Sequence, residues 1–238
     1  HMKNTMQSLF ITLIFLVPCT ALSQDITGLW EVSKVMVGEE TMTPQGKWTR
    51  FNPDSTYASG NGWLQHSQGT WSFNGFSNLL WINEKHGPAD KYGAFEVKFN
   101  GPQMLWERNE EGMQVTVVLD RTDELPMTPA DRITGLWDLK QAERNGDNII
   151  GEFDPDGSYW IFFRWDHRFV KRTTDGKREH GYWQMHAHQP ELTMISENCE
   201  TGMNRFTVAF LNGNLILTGK EKENPLKLEF VKISGFPE

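Results

Sequence analysis

"ITGLW" at Ile26–Trp30 is spelled again, letter for letter, at Ile133–Trp137, 107 positions further on. An identity of this kind marks an internal repeat when the stretches after it keep their order in both halves, and here they do. "FNPDSTY" (Phe51–Tyr57) is matched by "FDPDGSY" (Phe153–Tyr159), and "GTW" (Gly69–Trp71) by "GYW" (Gly181–Trp183). "FEVKFNGPQMLW" (Phe95–Trp106) then faces "FTVAFLNGNLIL" (Phe206–Leu217), and "VTVVLDR" (Val115–Arg121) faces "LKLEFVK" (Leu226–Lys232). The chain therefore reads as two copies of one unit, residues 24–121 and 132–238. "TDELPMTPAD" (Thr122–Asp131), with two prolines among acids, is the linker between them.

Each copy reads as β throughout. Apolar residues alternate in "FEVKF" and "VTVVL", and turn signals such as "NPDS", "DPDG", "FNG" and "LNG" recur at short intervals. In the first copy the strands fall at Gly28–Val37, Lys47–Asn52, Ser55–Asn61, Gln68–Phe73, Asn78–Asn83, Ala94–Asn100, Gln103–Arg108 and Met113–Asp120. Such a series closes naturally into an up-and-down barrel, which leaves no strand edge exposed. The expected fold is all-β, two consecutive eight-stranded antiparallel up-and-down barrels. A sandwich of two flat sheets is the alternative.

The ends and the composition bound the setting. His1 ahead of Met2 reads as a cloning scar. Met2–Ser23 has the order of a cleaved secretory signal: Lys3, the apolar run Leu9–Val17, the helix-breaking Pro18, and small Ala21 and Ser23 before the cut. Acylation at Cys19 is the weaker reading, because Pro18 stands where a lipoprotein signal wants a small residue. The expectation is an exported chain, periplasmic or secreted, with no transmembrane segment after cleavage. Loss of Lys3 takes the formal net charge from −8 to −9, which gives no electrostatic support for nucleic-acid binding. Cys199 is then the one remaining cysteine, so stability has to come from packing rather than from disulfides.

The Gly-x-Trp at the start of the first strand, followed by seven more strands, resembles the lipocalins and the wider calycin group, and most closely bacterial lipocalin-like domains, here in tandem. The resemblance covers nearly all of the mature chain, although the family's middle Thr-Asp-Tyr motif is not found in place. It implies that the first-strand Trp closes the narrow end of each barrel beneath a basic side chain from the last strand. The matching positions are Trp30 with Arg121 and Trp137 with Lys232, the second departing from the family's arginine. It also implies a carrier of small lipophilic molecules, a few members of the family being enzymes.

Period-two alternation sorts the strands into faces. Trp71 and Phe73 are expected inside with Trp183, Met185 and Ala187. Leu79 and Trp81 are paired with Leu192 and Met194 on the same face. Tyr57 and Ser59 are expected inside the first copy, and Tyr159, Ile161, Phe163 and Trp165 inside the second. An apolar pocket near the open end would thus draw on Tyr57, Trp63, Trp71, Trp81, Tyr159, Phe163, Trp165, Trp183, Met185 and Met194, whose broad or adaptable side chains suit a flat ligand. The alternative is that these side chains fill both barrels completely. Trp160 and Phe162 fall on the outer phase and are expected to lie between the two copies.

The spacing from Tyr159 to Trp183 exceeds that from Tyr57 to Trp71 by ten residues. Around Asp175-Gly176 this predicts a lengthened hairpin at 167–180, with a basic tip of Arg168, Lys171, Arg172, Lys177 and Arg178. His180, His186 and His188 share an outer face at a spacing that suits zinc or copper. Without a nearby carboxylate or cysteine they read as a polar surface, so no metal and no cofactor is expected. Acidic neighbours argue against Cys199 as a nucleophile, and no hydrolase, phosphate-loop or dinucleotide motif occurs. The expectation is a non-catalytic binding protein for a small lipophilic or aromatic ligand. Its alternative is a protein–protein interaction module with filled barrels, working through its outer faces and the basic hairpin.

Overall fold

A computed structural model describes residues 25–86, 90–173, 175–186, 189–198, 202–221 and 223–237. The signal segment with Cys19, and also Ala187, His188 and Cys199, lie outside the described residues. Strands β1 (Gly28–Val37), β2 (Glu40–Met42), β3 (Lys47–Phe51), β4 (Thr56–Asn61), β5 (Leu64–Asn74), β6 (Leu79–Glu84), β7 (Phe95–Asn100), β8 (Gln103–Glu110) and β9 (Met113–Thr122) come first. A short helix α1 (Pro129–Ile133) leads to β10 (Gly135–Arg144), β11 (Asp147–Asn148) and a second short helix α2 (Ile150–Phe153). Then follow β12 (Trp160–Phe163), β13 (Arg168–Arg172), β14 (Arg178–Met185), β15 (Glu191–Ser196), β16 (Met203–Leu211), β17 (Asn214–Gly219) and β18 (Leu226–Ile233).

These strands make two closed eight-stranded antiparallel barrels. In the first, β1 and β3 to β9 pair in chain order and β9 returns to β1; in the second, β10 and β12 to β18 do the same. The short β2 and β11 only extend the ends of β1 and β10. Closure depends on bending the first strand. Both copies have an irregular register at the same place, between Val32 and Lys34 and between Leu139 and Gln141. The extra residue of a bulge twists the strand sharply there. Among the described residues no helix is long and apolar enough to cross a membrane.

Pairing across β3 to β5 corrects the sequence alignment of the two copies. Phe51 and Phe163 end equivalent strands, β3 and β12. The turn after each is built alike: the residue 52 N–H donates to Thr56 O (2.9 Å), and the residue 164 N–H to Arg168 O (2.8 Å). Ser55 and His167 both take positive φ, 65° and 63°. The true counterpart of "FNPDSTY" is therefore "FRWDHRF" (Phe163–Phe169), at a constant offset of 112 that continues to Trp71 and Trp183. "FDPDGSY" instead precedes β12, at the end of α2. The additional residues lie between β10 and β12, and 167–180 is no lengthened arm. It belongs to β13 and β14, two walls of the barrel.

The same pairing corrects three aromatic positions. Trp71 lies opposite Ile82 and Phe73 opposite Leu80, so Leu80 and Ile82 face the core and Trp81 faces out, 38% exposed. Four consecutive apolar residues, Leu79 to Ile82, carry no phase of their own. Trp63 and Trp165 sit in turns rather than strands and are 73% and 83% exposed.

Trp160 does point outward yet is 2% exposed. Its cover is the C-terminal segment: Phe236 meets Trp160 and Phe162 edge-on at 5.0 and 5.6 Å, and Arg178 lies 5.8 Å from the Trp160 ring. The expected site between the barrels is corrected accordingly, since a segment only a few residues beyond β18 reaches the patch first.

The linker is structured. Thr128 and Asp131 form a reciprocal capping box that starts α1, and this turn docks on loops of the first barrel. A Cβ on Gly62 would lie 1.8 Å from Asp131 Oδ2, and one on Gly46 2.7 Å from the Thr128 nitrogen. Both glycines have positive φ and no room for a side chain.

Candidate functional site

The repeated pentapeptide builds the closed end of each barrel. Trp30 donates its indole N–H to Ile26 O at 2.7 Å, and Trp137 to Ile133 O at 2.6 Å. Ile26 and Ile133 are themselves buried, in the same core clusters as Trp30 and Trp137 respectively. Gly28 and Gly135 take φ of 120° and 129°, and the last-strand cation occupies the space of the missing Cβ: Arg121 Nη1 would be 2.8 Å and Lys232 Cε 2.7 Å away. Arg121 Cζ stands 4.5 Å over Trp30 and Lys232 Nζ 5.3 Å over Trp137. Isoleucine, glycine and tryptophan are each required by one contact, which is why the chain spells them twice.

Arg121 is the better anchored cation, because its guanidinium also donates to Thr27 O (2.9 Å) and Asp25 O (2.6 Å). A double-mutant cycle between Trp30 and Arg121 should therefore give a coupling of about 1–2 kcal/mol, near the upper end for a cation over an indole. The Trp137–Lys232 cycle should give less. Equal couplings would contradict the assignment of the difference to Arg121's backbone bonds.

The opposite end of the second barrel holds a cavity of about 180 Å³. Its walls are inward side chains of β12 to β18, among them Ile161, Phe169, Met194, Phe206, Leu217 and Phe230. Over it lie Phe153 from α2 and Tyr159, rings 5.5 Å apart, so the segment inserted between β10 and β12 covers the mouth. Asp154 fixes this cover: its carboxylate accepts the Ser158 and Tyr159 N–H groups at 3.1 and 3.2 Å. Burial raises the Asp154 carboxyl above its ordinary range despite those two donors. Burial likewise pushes the Tyr159 phenol well up, which keeps it neutral.

One side of the cavity is polar. Lys171 Nζ lies 3.1 Å from Glu179 Oε2, with the two side chains only 13% and 14% exposed. Ser196 and Asn204 complete this side. The second carboxylate oxygen, Glu179 Oε1, is buried and receives no hydrogen bond from the protein. A buried charge-bearing acceptor in that condition is costly unless a donor is supplied.

The first barrel differs at two matching positions. Trp106, opposite Val97, stands where the second barrel has Leu217 opposite Val208. Two residues on, Arg108 stands in place of Gly219. Its guanidinium lies 3.8 Å over Phe95, the counterpart of cavity-lining Phe206, and pairs with Asp90 and Glu110. Leu217, which lines the cavity, and Gly219 are thus the smaller residues at two positions where the first barrel carries Trp106 and Arg108.

Of the ten residues expected from the sequence to line a pocket, Tyr159 and Met194 line this cavity. Phe163 and Trp183 belong to the core of the second barrel, in edge contact at 5.8 Å, with Met185 packed against it. Tyr57 and Trp71 belong to the first-barrel core, where the Tyr57 hydroxyl bonds Ser67 and Trp71 N–H donates to Asn52 O. Trp63, Trp81 and Trp165 reach neither interior. Lys171 and Glu179 were not among them; assigned to a protruding tip, they lost the inward phase that Phe169 and Gly181 give them. His180 and His186 are on the outer face.

No family model matches the chain, and no curated protein matches it. Among solved structures it is similar to a DUF4847 family protein from Bacteroides vulgatus ATCC 8482, at 14% identity and a TM-score of 0.33. The match covers 44% of this chain and 95% of that one.

Proposed function

We propose that the protein is an exported binding module of lipocalin-like character whose second barrel holds one small, largely apolar molecule. The observation that carries this reading is the cavity itself: apolar walls, a largely buried ion pair on one side, and a cover formed by a segment longer than its counterpart in the first copy. A volume of 180 Å³ suits a ligand of about one six-membered ring, since an engineered cavity of ~150 Å³ admits benzene. The groups at hand, an ammonium–carboxylate pair, an amide and a hydroxyl among aromatic rings, suit recognition of such a molecule.

A second reading is favoured by one feature of the outer surface. Tyr182, Ile195 and Met203 are exposed and lie side by side across β14, β15 and β16. An apolar row of this kind is a candidate protein contact. Native mass spectrometry of the full chain purified from its own host separates the two. A bound small molecule near one per chain is expected. A protein partner in its place, with the chain otherwise free of small molecules, would favour the outer face.

A further inference from the structure

We infer that the ligand of the second barrel is an uncharged ring compound carrying a hydrogen-bond donor, such as a phenolic or heterocyclic N–H compound, with the donor directed at Glu179. This rests on the cavity being a ligand site and says what that site selects. Three observations carry it.

Glu179 is one of the residues that line the cavity; its Oε1 is buried and receives no donor from the protein, while Oε2 is already taken by Lys171. An incoming O–H or N–H therefore meets an acceptor whose hydrogen bond is charge-assisted. The ion pair also fixes the charge of the ligand. Lys171 offsets the carboxylate, so a cationic ligand would bring an uncompensated positive charge into a site of low dielectric, and an anion would face the Glu179 oxygen itself. The rest of the lining, Phe169, Phe206, Phe230 and Leu217 among it, accepts an apolar ring.

The direction of selectivity makes the test sharp. An apolar cavity without an unsatisfied acceptor prefers toluene to phenol, because burying an unpaired hydroxyl costs free energy. With Glu179 Oε1 waiting, the order inverts. Titration calorimetry on the full chain with phenol, toluene, benzylamine and benzoate should find phenol tightest, by about tenfold or more over toluene. Lys171→Met combined with Glu179→Met replaces the pair by apolar side chains of similar volume, a change that buried ion pairs commonly tolerate without unfolding. In that variant toluene should bind tighter than phenol. A wild-type chain that binds toluene saturably and prefers it overturns the inference while leaving the cavity as a ligand site. So does a double variant that keeps the phenol preference. Failure of all four compounds to bind overturns the cavity reading, and this inference with it.

Discussion

Trp137→Ala should destabilise the second barrel by about 3–5 kcal/mol, as expected for truncating a buried indole. Trp137 is 2% exposed, gives its N–H to Ile133 O at 2.6 Å, and lies between Lys232 and Phe210, whose ring is 6.3 Å away. Truncation leaves a cavity at the closed end and deprives the buried Ile133 carbonyl of its donor. The barrel cannot collapse onto the gap, because its circumference is fixed by eight hydrogen-bonded strands. Denaturant unfolding of the full chain, followed by far-UV circular dichroism, measures the loss. The second barrel should melt earlier with the first unaffected. A loss below about 1 kcal/mol would remove the pentapeptide from its role as the structural seal of the barrel.

The second large effect concerns the cavity. Leu217→Trp together with Gly219→Arg gives the second barrel the side chains that the first carries at those positions, Trp106 and Arg108. Phenol binding should fall by roughly 30- to 150-fold, the loss of burying one ring at about 2–3 kcal/mol. Folding should survive, because the same pair already fits the same fold once. The glycine has ordinary φ, and the atom nearest its absent Cβ is Glu221 Oε2, the end of a flexible side chain. Glu221 also corresponds to Glu110, the partner of Arg108, so the introduced guanidinium meets a carboxylate in the same register. Undiminished affinity in a folded double variant would place the binding elsewhere. Unfolding can be recognised separately by the melting curve, and the single variant Leu217→Trp then supplies the affinity comparison.

Much of the fold was legible because it is written by local rules. Strand limits such as Gly28–Val37 follow from alternation and turn residues, and Ala94–Asn100 differs from β7 by one residue. The offset between copies located the closing strands, and β5 differs chiefly in beginning early, at Leu64. The site was far less legible, for two physical reasons. A Phe-x-Pro-Asp-x-x-Tyr string specifies a tight turn and not the strands on either side, so it occurs in two inequivalent places. Phe51, Asp54, Tyr57, Gly69 and Trp71 in fact recur at Phe163, Asp166, Phe169, Gly181 and Trp183 at one gapless spacing. That signal would have kept Lys171 and Glu179 on the inner face. The other reason is that tryptophan is a poor marker of interior phase in turns and in runs such as Leu79–Ile82, where exposure of Trp63, Trp81 and Trp165 depends on pairing partners rather than on the residue.

The central claim, that a small ring compound enters the second barrel between its core and the α2 cover, is tested most directly by methionine methyl resonances in the full chain. Met194 lines the cavity, whereas Met104 is fully buried in the first-barrel core. On titration with phenol the Met194 methyl signal should shift progressively to a plateau through the ring current of the bound compound, with Met104 unmoved. Phenol binding that leaves Met194 in place, or that shifts Met104 instead, would contradict the account.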